Sequence, residues 1–231
     1  MQKTYLVTGA SRGIGKAIAQ KLIHAGYSII GIARSFDWDS PNLKKVSLDL
    51  SRVDLLPEAL DDLKKEIGDM LQGMICCAGK GRFGSLEEFS FSQITQIIHL
   101  NVISHIFLLK AFVPFLKRKK EGDIVMIGSE AALQGKRQGT VYCASKFALR
   151  GFCQALREEC ASSGVRVTLI NPGMVKTSFF DHLAFSCGDQ SHEHLLPEDI
   201  AQTVLHVLQT RQGAVFDEIN LSPQVKKIIK S

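Results

Sequence analysis

Short apolar runs alternate with longer amphipathic stretches along the whole chain. TYLVT (4–8), YSIIGIA (27–33), KKVSLDL (44–50), GMICCAG (73–79), DIVMIGS (123–129), VRVTLI (165–170) and VFDEINL (215–221) read as strands. They are continuous in valine and isoleucine rather than strictly alternating, as strands covered on both faces should be. Helical patterns fall between them near 13–26, 52–67, 91–118, 142–163 and 197–211. Such regular alternation predicts an α/β fold, a parallel sheet with helices on both faces. No repeat, low-complexity tract or linker interrupts it, so one domain over 1–231 is expected. The irregular piece is TSFFDHLAFSCGDQSHEHLL (177–196), which is expected to be a lid or substrate loop.

The first strand runs into chemistry. LVTGASRGIGKAIAQKL is a strand, a turn with Gly9, Gly13 and Gly15, and a helix. Gly9 permits the sharp exit, Gly13 admits a pyrophosphate to the backbone, and Gly15 lets helix and sheet approach. Ser11, Arg12 and Ile14 complete the turn, and the helix N-terminus favours negative charge. A dinucleotide site is expected. The second strand ends in Ala33, Arg34 and Ser35, with no carboxylate for an adenosine ribose. Arg12 and Arg34 suit a 2′-phosphate, so NADP(H) is favoured over NAD(H), with Asp37 and Asp39 nearby as the opposing signal.

Composition narrows the field. With 231 residues, 45% hydrophobic and 22% charged, the chain can bury a large core and is not a disordered class. The net charge of +5 is mild, and Lys117–Lys120 and Lys226–Lys227 suit a helix end and the chain end better than a nucleic-acid footprint. Six cysteines show neither CxxC nor metal-ligand spacing, which implies no metal and a reduced, cytoplasmic setting. The strand-like start leaves no leader, and no apolar run approaches the roughly 20 residues of a membrane span. His192 and His194, at i and i+2, read as solvated loop residues. His99 and His105 read as packing or surface groups.

Tyr142 and Lys146 lie one turn apart on a helix of mostly small and apolar residues, in VYCASKFAL. Ser129 ends the strand before it, at the edge where parallel sheets place ligands. A free tyrosine titrates near pH ~10, too high for efficient proton transfer at neutrality. A neighbouring ammonium, aided by an oxidised nicotinamide, would favour the phenolate and lower that value. The loop from Ser129 to Tyr142 carries Lys136 and Arg137 between Gly135 and Gly139, either solvated or placed to select an acidic substrate.

TGASRGIG, SLDL, LNV, IGS…YCASK and NPGMVKT, in this order, resemble the classical short-chain dehydrogenase/reductase family over essentially the whole chain. The resemblance implies a Rossmann-type, doubly wound sheet of about seven parallel strands. It implies Asn101, Ser129, Tyr142 and Lys146 as catalytic residues. Tyr142 would protonate the carbonyl, Ser129 would polarise it, and Lys146 would hold the nicotinamide ribose. Asn101 would hold a water linking Lys146 to solvent. Asp49 and Leu50 would meet adenine, and Ala78 and Gly79 the adenosine ribose. Pro172, Gly173, Val175 and Thr177 would hold the carboxamide and pyrophosphate. Cys76-Cys77 stands where the family usually has Asn-Asn, so a side-chain amide tying neighbouring strands is missing. Members commonly form homodimers or homotetramers through helices corresponding to 91–118 and 142–163. The implied activity is hydride transfer between NADP(H) and a small carbonyl or alcohol. The alternatives are a non-catalytic NADP(H)-binding redox regulator, which has no need of Tyr142 and Lys146, and an extended-type sugar-nucleotide epimerase, whose glycine spacing differs.

Overall fold

The computed structural model describes residues 2–230. Its strands are β1 (Thr4–Thr8), β2 (Ser28–Ala33), β3 (Leu43–Ser47), β4 (Leu71–Cys76), β5 (Gly122–Ile127), β6 (Val165–Pro172), β7 (Phe185–Cys187), β8 (Glu218–Leu221) and β9 (Ile228–Lys230). Its α-helices are α1 (Gly13–His24), α2 (Leu56–Ile67), α3 (Phe91–Ile98), α4 (Ser104–Lys119), α5 (Thr140–Ala161) and α6 (Pro197–Gln209). Seven strands form one sheet in the order β3-β2-β1-β4-β5-β6-β8, and every neighbouring pair is parallel. All their carboxyl ends therefore share one edge. The chain winds outward from β1 to β3, then returns to the other side of β1 with β4, and this reversal opens a crevice between the β1 and β4 ends.

Alternate strand residues feed two cores. Leu6, Ile30, Ile32, Met74, Ile124 and Met126 pack with Leu60, Phe112 and Leu149 of α2, α4 and α5. Tyr5, Val7, Ile29, Ile75, Val125 and Ile170 pack with Ile18, Leu22 and Val204 of α1 and α6. Both faces are covered, as the continuous apolar strands required.

Three segments differ from the sequence expectation. β3 stops at Ser47, and α2 starts only at Leu56, because Asp49 accepts the Ser51 amide and hydroxyl at 2.9 and 2.7 Å and turns the chain. The helix over 91–119 is continuous for 29 residues but widens to a π-turn at His99–Ile103. By length and composition it could cross a bilayer, whereas the sequence reading found no apolar run approaching that length. Leu108, Leu109, Phe112 and Leu116 of that helix are taken up by the sheet core. Lastly, 177–196 is not irregular throughout: β7 lies inside it and pairs antiparallel with β9 at the far end of the chain.

Candidate active site

Gly9 leaves β1 with φ +68° and donates its amide to the Ile32 carbonyl at 2.8 Å. A Cβ on Gly15 would overlap the Gly9 carbonyl, so only glycine lets α1 start this close beneath the strand exit. Arg12 precedes α1 without a side-chain cap, and the first turn carries no acid. Its amides are therefore open to an external anion, favoured there by the helix dipole. Ser11 lies in the turn, while Ile14 packs toward the α1–α6 core. Thr177 closes the turn from the opposite side, its methyl 3.6 Å from where a Gly13 side chain would begin. Trp38 donates its indole N–H to the Ala10 carbonyl at 3.0 Å.

Arg12 and Arg34 are exposed at the rim and make no ion pair among the described residues. The two aspartates that opposed NADP are each engaged, Asp37 by Lys16 at 3.3 Å and Asp39 by Lys45 at 3.2 Å. The Ser51 hydroxyl, and behind it the Arg34 charge, hold the Asp49 carboxyl below the usual range. Leu50 turns its side chain into the core.

Across the crevice, three side chains clasp the turn after β4. Thr8 Oγ1 accepts the amides of Cys77 and Ala78 at 2.9 and 3.0 Å. His105 Nε2 donates to the Ala78 carbonyl at 2.8 Å. Asn101 grips Lys80 at both ends, its Oδ1 accepting the amide and its Nδ2 donating to the carbonyl, each at 2.9 Å. Asn101 also donates to the Ser145 hydroxyl at 3.1 Å and is fully buried. It sits in the π-turn, a distortion common at functional sites. Gly79 lies beside this clasp, near the Asn101 amide and the Lys146 ammonium. His105 is thus more than a packing group. Burial pushes its imidazole down to about 4, so it stands neutral, and its Nδ1 is buried without a protein partner. The signal available in sequence was its position one turn after Asn101.

β5 ends at Ile127, so Ser129 stands just beyond the strand, its Oγ accepting the Ala131 amide at 3.2 Å. α5 presents Tyr142 and Lys146 to this point, 8% and 7% exposed. The Lys146 ammonium donates to the Ile127 carbonyl at 3.2 Å and lies 5.7 Å from the centre of the Tyr142 ring. Burial pushes the phenol up to about 12, partly offset by its hydrogen bond with Ser129. Burial likewise pushes Lys146 down to about 8. In the protein alone burial therefore raises the phenol, with Cys143 and Glu130 acting in the same direction, whereas the lowering expected above comes from Lys146 together with an oxidised nicotinamide. Ser129, Tyr142 and Lys146 come together.

The sequence profile of the short chain dehydrogenase family matches residues 3–184. The chain belongs to the short-chain dehydrogenase family. As an oxidoreductase of that family it is 30% identical to an NADP-dependent 3-hydroxy acid dehydrogenase of Schizosaccharomyces pombe, over 96% of this chain and 92% of the relative. It is 34% identical to a 3-oxoacyl-[acyl-carrier-protein] reductase of Buchnera aphidicola, over 79% and 77%. An alcohol dehydrogenase from Thermococcus sibiricus, complexed with 5-hydroxy-NADP, superimposes with a TM-score of 0.85 at 27% identity, covering 98% of this chain and 99% of that one.

In this short-chain dehydrogenase Pro172 closes β6, and the Gly173 amide donates to the Leu221 carbonyl at 2.7 Å. Val175 bridges to Leu195 and faces the α1–α6 core, while Thr177 accepts the Phe179 amide at 3.2 Å and starts a short turn. Phe83, Phe179, Phe180 and Phe185 gather around Tyr142, three of them from the 177–196 segment expected to be a lid or substrate loop. Lys136 and Arg137 are exposed, and the tight position in their loop is Gln138, with φ +61°, rather than either glycine. His192 is exposed, but His194 is buried, its ring bonded to the Gly188 carbonyl at 2.8 Å. No group of three potential metal ligands occurs among the described residues.

Proposed function

We propose that the chain is an NADP(H)-dependent reductase of small carbonyl compounds, or the corresponding alcohol dehydrogenase, with Tyr142 as general acid and base. The observation that carries this reading is the convergence of Ser129, Tyr142 and Lys146 at the edge of the sheet that also bears the uncapped glycine turn. Bound NADPH supplies the hydride. Tyr142 gives its proton to the carbonyl oxygen, and Ser129 donates a hydrogen bond to the same oxygen as charge gathers there. Lys146, held on the Ile127 carbonyl, keeps a positive charge beside the phenol as its proton leaves. Both N–H donors of the Asn101 amide and one lone pair of its oxygen are engaged by Lys80 and Ser145, so the side chain secures the turn, and the remaining lone pair would hold the water linking Lys146 to solvent.

Arg12 and Arg34 would read the 2′-phosphate, which the engaged aspartates leave unopposed. The NADP named for the S. pombe and T. sibiricus proteins supports that choice. Exposed Phe91 and Phe147, on α3 and α5, suit assembly into a homodimer or homotetramer through those helices. A single domain, working in the cytoplasm without nucleic-acid or membrane partners, completes the proposal. The test is Tyr142→Phe. It should still bind NADPH, read by quenching of the single Trp38, while carbonyl-dependent NADPH oxidation falls about 10²–10⁴-fold. Turnover near that of the parent would remove Tyr142 from the role.

A further inference from the structure

Tyr142 is enclosed by phenylalanines that belong to neither core of the sheet, two of which, Phe83 and Phe179, pack with Ala131, Tyr142 and Cys143 in a small cluster of their own. Phe83 lies 5.2 Å from the Tyr142 ring centre and Phe179 lies 6.1 Å from it. Phe185 meets Phe83 edge-on at 4.9 Å, and Phe180 joins Phe179 at 5.3 Å and Phe185 at 5.9 Å. All four are only partly buried, although they surround a tyrosine that is almost wholly covered. They come from two separate places, the loop after β4 and the segment after β6. The first is tied to the Ser129–Tyr142 loop, where the Gly84 amide donates to the Gln138 carbonyl at 2.8 Å. The ring of Phe179 occupies the space above Gly81, where any Cβ would overlap it. The cations of the neighbouring loop do not join this wall: Lys136 and Arg137 are exposed, and Lys136 bonds to Gln134 at 3.0 Å.

We infer that this wall is the binding site for the body of the substrate, and that it selects an uncharged aryl or bulky apolar ketone or aldehyde. The inference rests on the reductase reading above and adds the substrate class to it. Apolar rings around the proton donor offer edge and face contacts to an aryl group but nothing to offset the desolvation of a carboxylate. Phe179, seated over Gly81 and against Tyr142, is the ring that such a body would displace or stack upon.

The experiment compares acetophenone, 4-acetylbenzoate and butanone as substrates for NADPH oxidation by the wild-type chain and by Phe83→Ala and Phe185→Ala. The wild type should favour acetophenone over each of the others by at least about tenfold in kcat/KM. Each alanine variant should compress the acetophenone-to-butanone ratio by about tenfold. Trp38 quenching by NADPH, within a few-fold of wild type, shows that the variant has folded. Preference for 4-acetylbenzoate, or a ratio that neither variant moves, overturns the inference and leaves the reductase reading standing. Oxidation of NADPH with none of the carbonyls overturns the reductase reading, and the inference falls with it.

Discussion

Lys146 carries its charge in a place that disfavours it. Its value falls from 10.5 to about 8 through burial, a shift worth about 3 kcal/mol. Between those values the unfolded chain binds a proton that the folded chain does not, so this group makes stability rise with pH from about 8 to 10.5. At neutral pH the folded state bears the cost. Lys146→Met should therefore raise the melting temperature by several degrees at pH 7 and by less at pH 10, while removing turnover. Thermal unfolding at the two pH values checks it, and equal shifts would contradict the buried charge. Arg34→Ala should weaken NADPH binding at least about tenfold and NADH binding much less, since only the former offers a 2′-phosphate for the guanidinium. His105→Leu should loosen the Ala78 turn by ~1–3 kcal/mol, the usual cost of an unmet buried carbonyl. Restoring an amide with Cys77→Asn in the same chain should recover part of that lost stability, read by thermal unfolding, which a mere packing defect at 105 would not allow. Ser129, Tyr142, Lys146 and Asn101 were legible because their spacing is fixed by one strand end and two helices. The direction of the tyrosine shift was not, because burial is a property of the assembled site.

Elements obey the same division. The five inner parallel strands declare themselves by apolar runs, and α1 by its glycine-punctuated entry, while the edge strands β3 and β8 carry polar residues between their apolar ones. The boundaries around Ser47 and Leu56 do not, because the side chain of Asp49 competes locally for the backbone. The π-turn at His99–Ile103 is equally silent in sequence, since its residues suit an ordinary helix. Gly15 makes the strictest demand of any element junction. Gly15→Ala should abolish NADPH binding and lower the melting temperature sharply, because its methyl group would meet the Gly9 carbonyl, a backbone atom with nowhere to move. Trp38 quenching and thermal unfolding of that variant report the two losses. Retention of both would show that the turn can widen.

On the scale of the whole molecule, the segment after β6 is closed at its neck and fastened at its middle. The Lys176 amide donates to the Leu195 carbonyl at 2.8 Å and the Leu195 amide to the Met174 carbonyl at 2.9 Å. Farther out, β7 pairs with β9, and Lys226 and Lys227 reach Glu130 and Glu193. The pairing joins residues more than 40 positions apart through three-residue strands, too short for any pattern in sequence to announce. A loop bound in this way cannot swing as a door. It behaves as a belt with a short free span, 177–184, between the neck and the buckle formed by β7 and β9. With Tyr142 as the proposed proton donor, that span would set the rate at which bulky molecules reach it, with β9 as the tension on the belt. Lys226→Ala/Lys227→Ala should slacken the belt: amide exchange at Ser186 and Gly188 should quicken. Acid should do the same, because Lys227 holds the Glu193 carboxyl below its ordinary value and the tie is lost as pH falls through that lowered value.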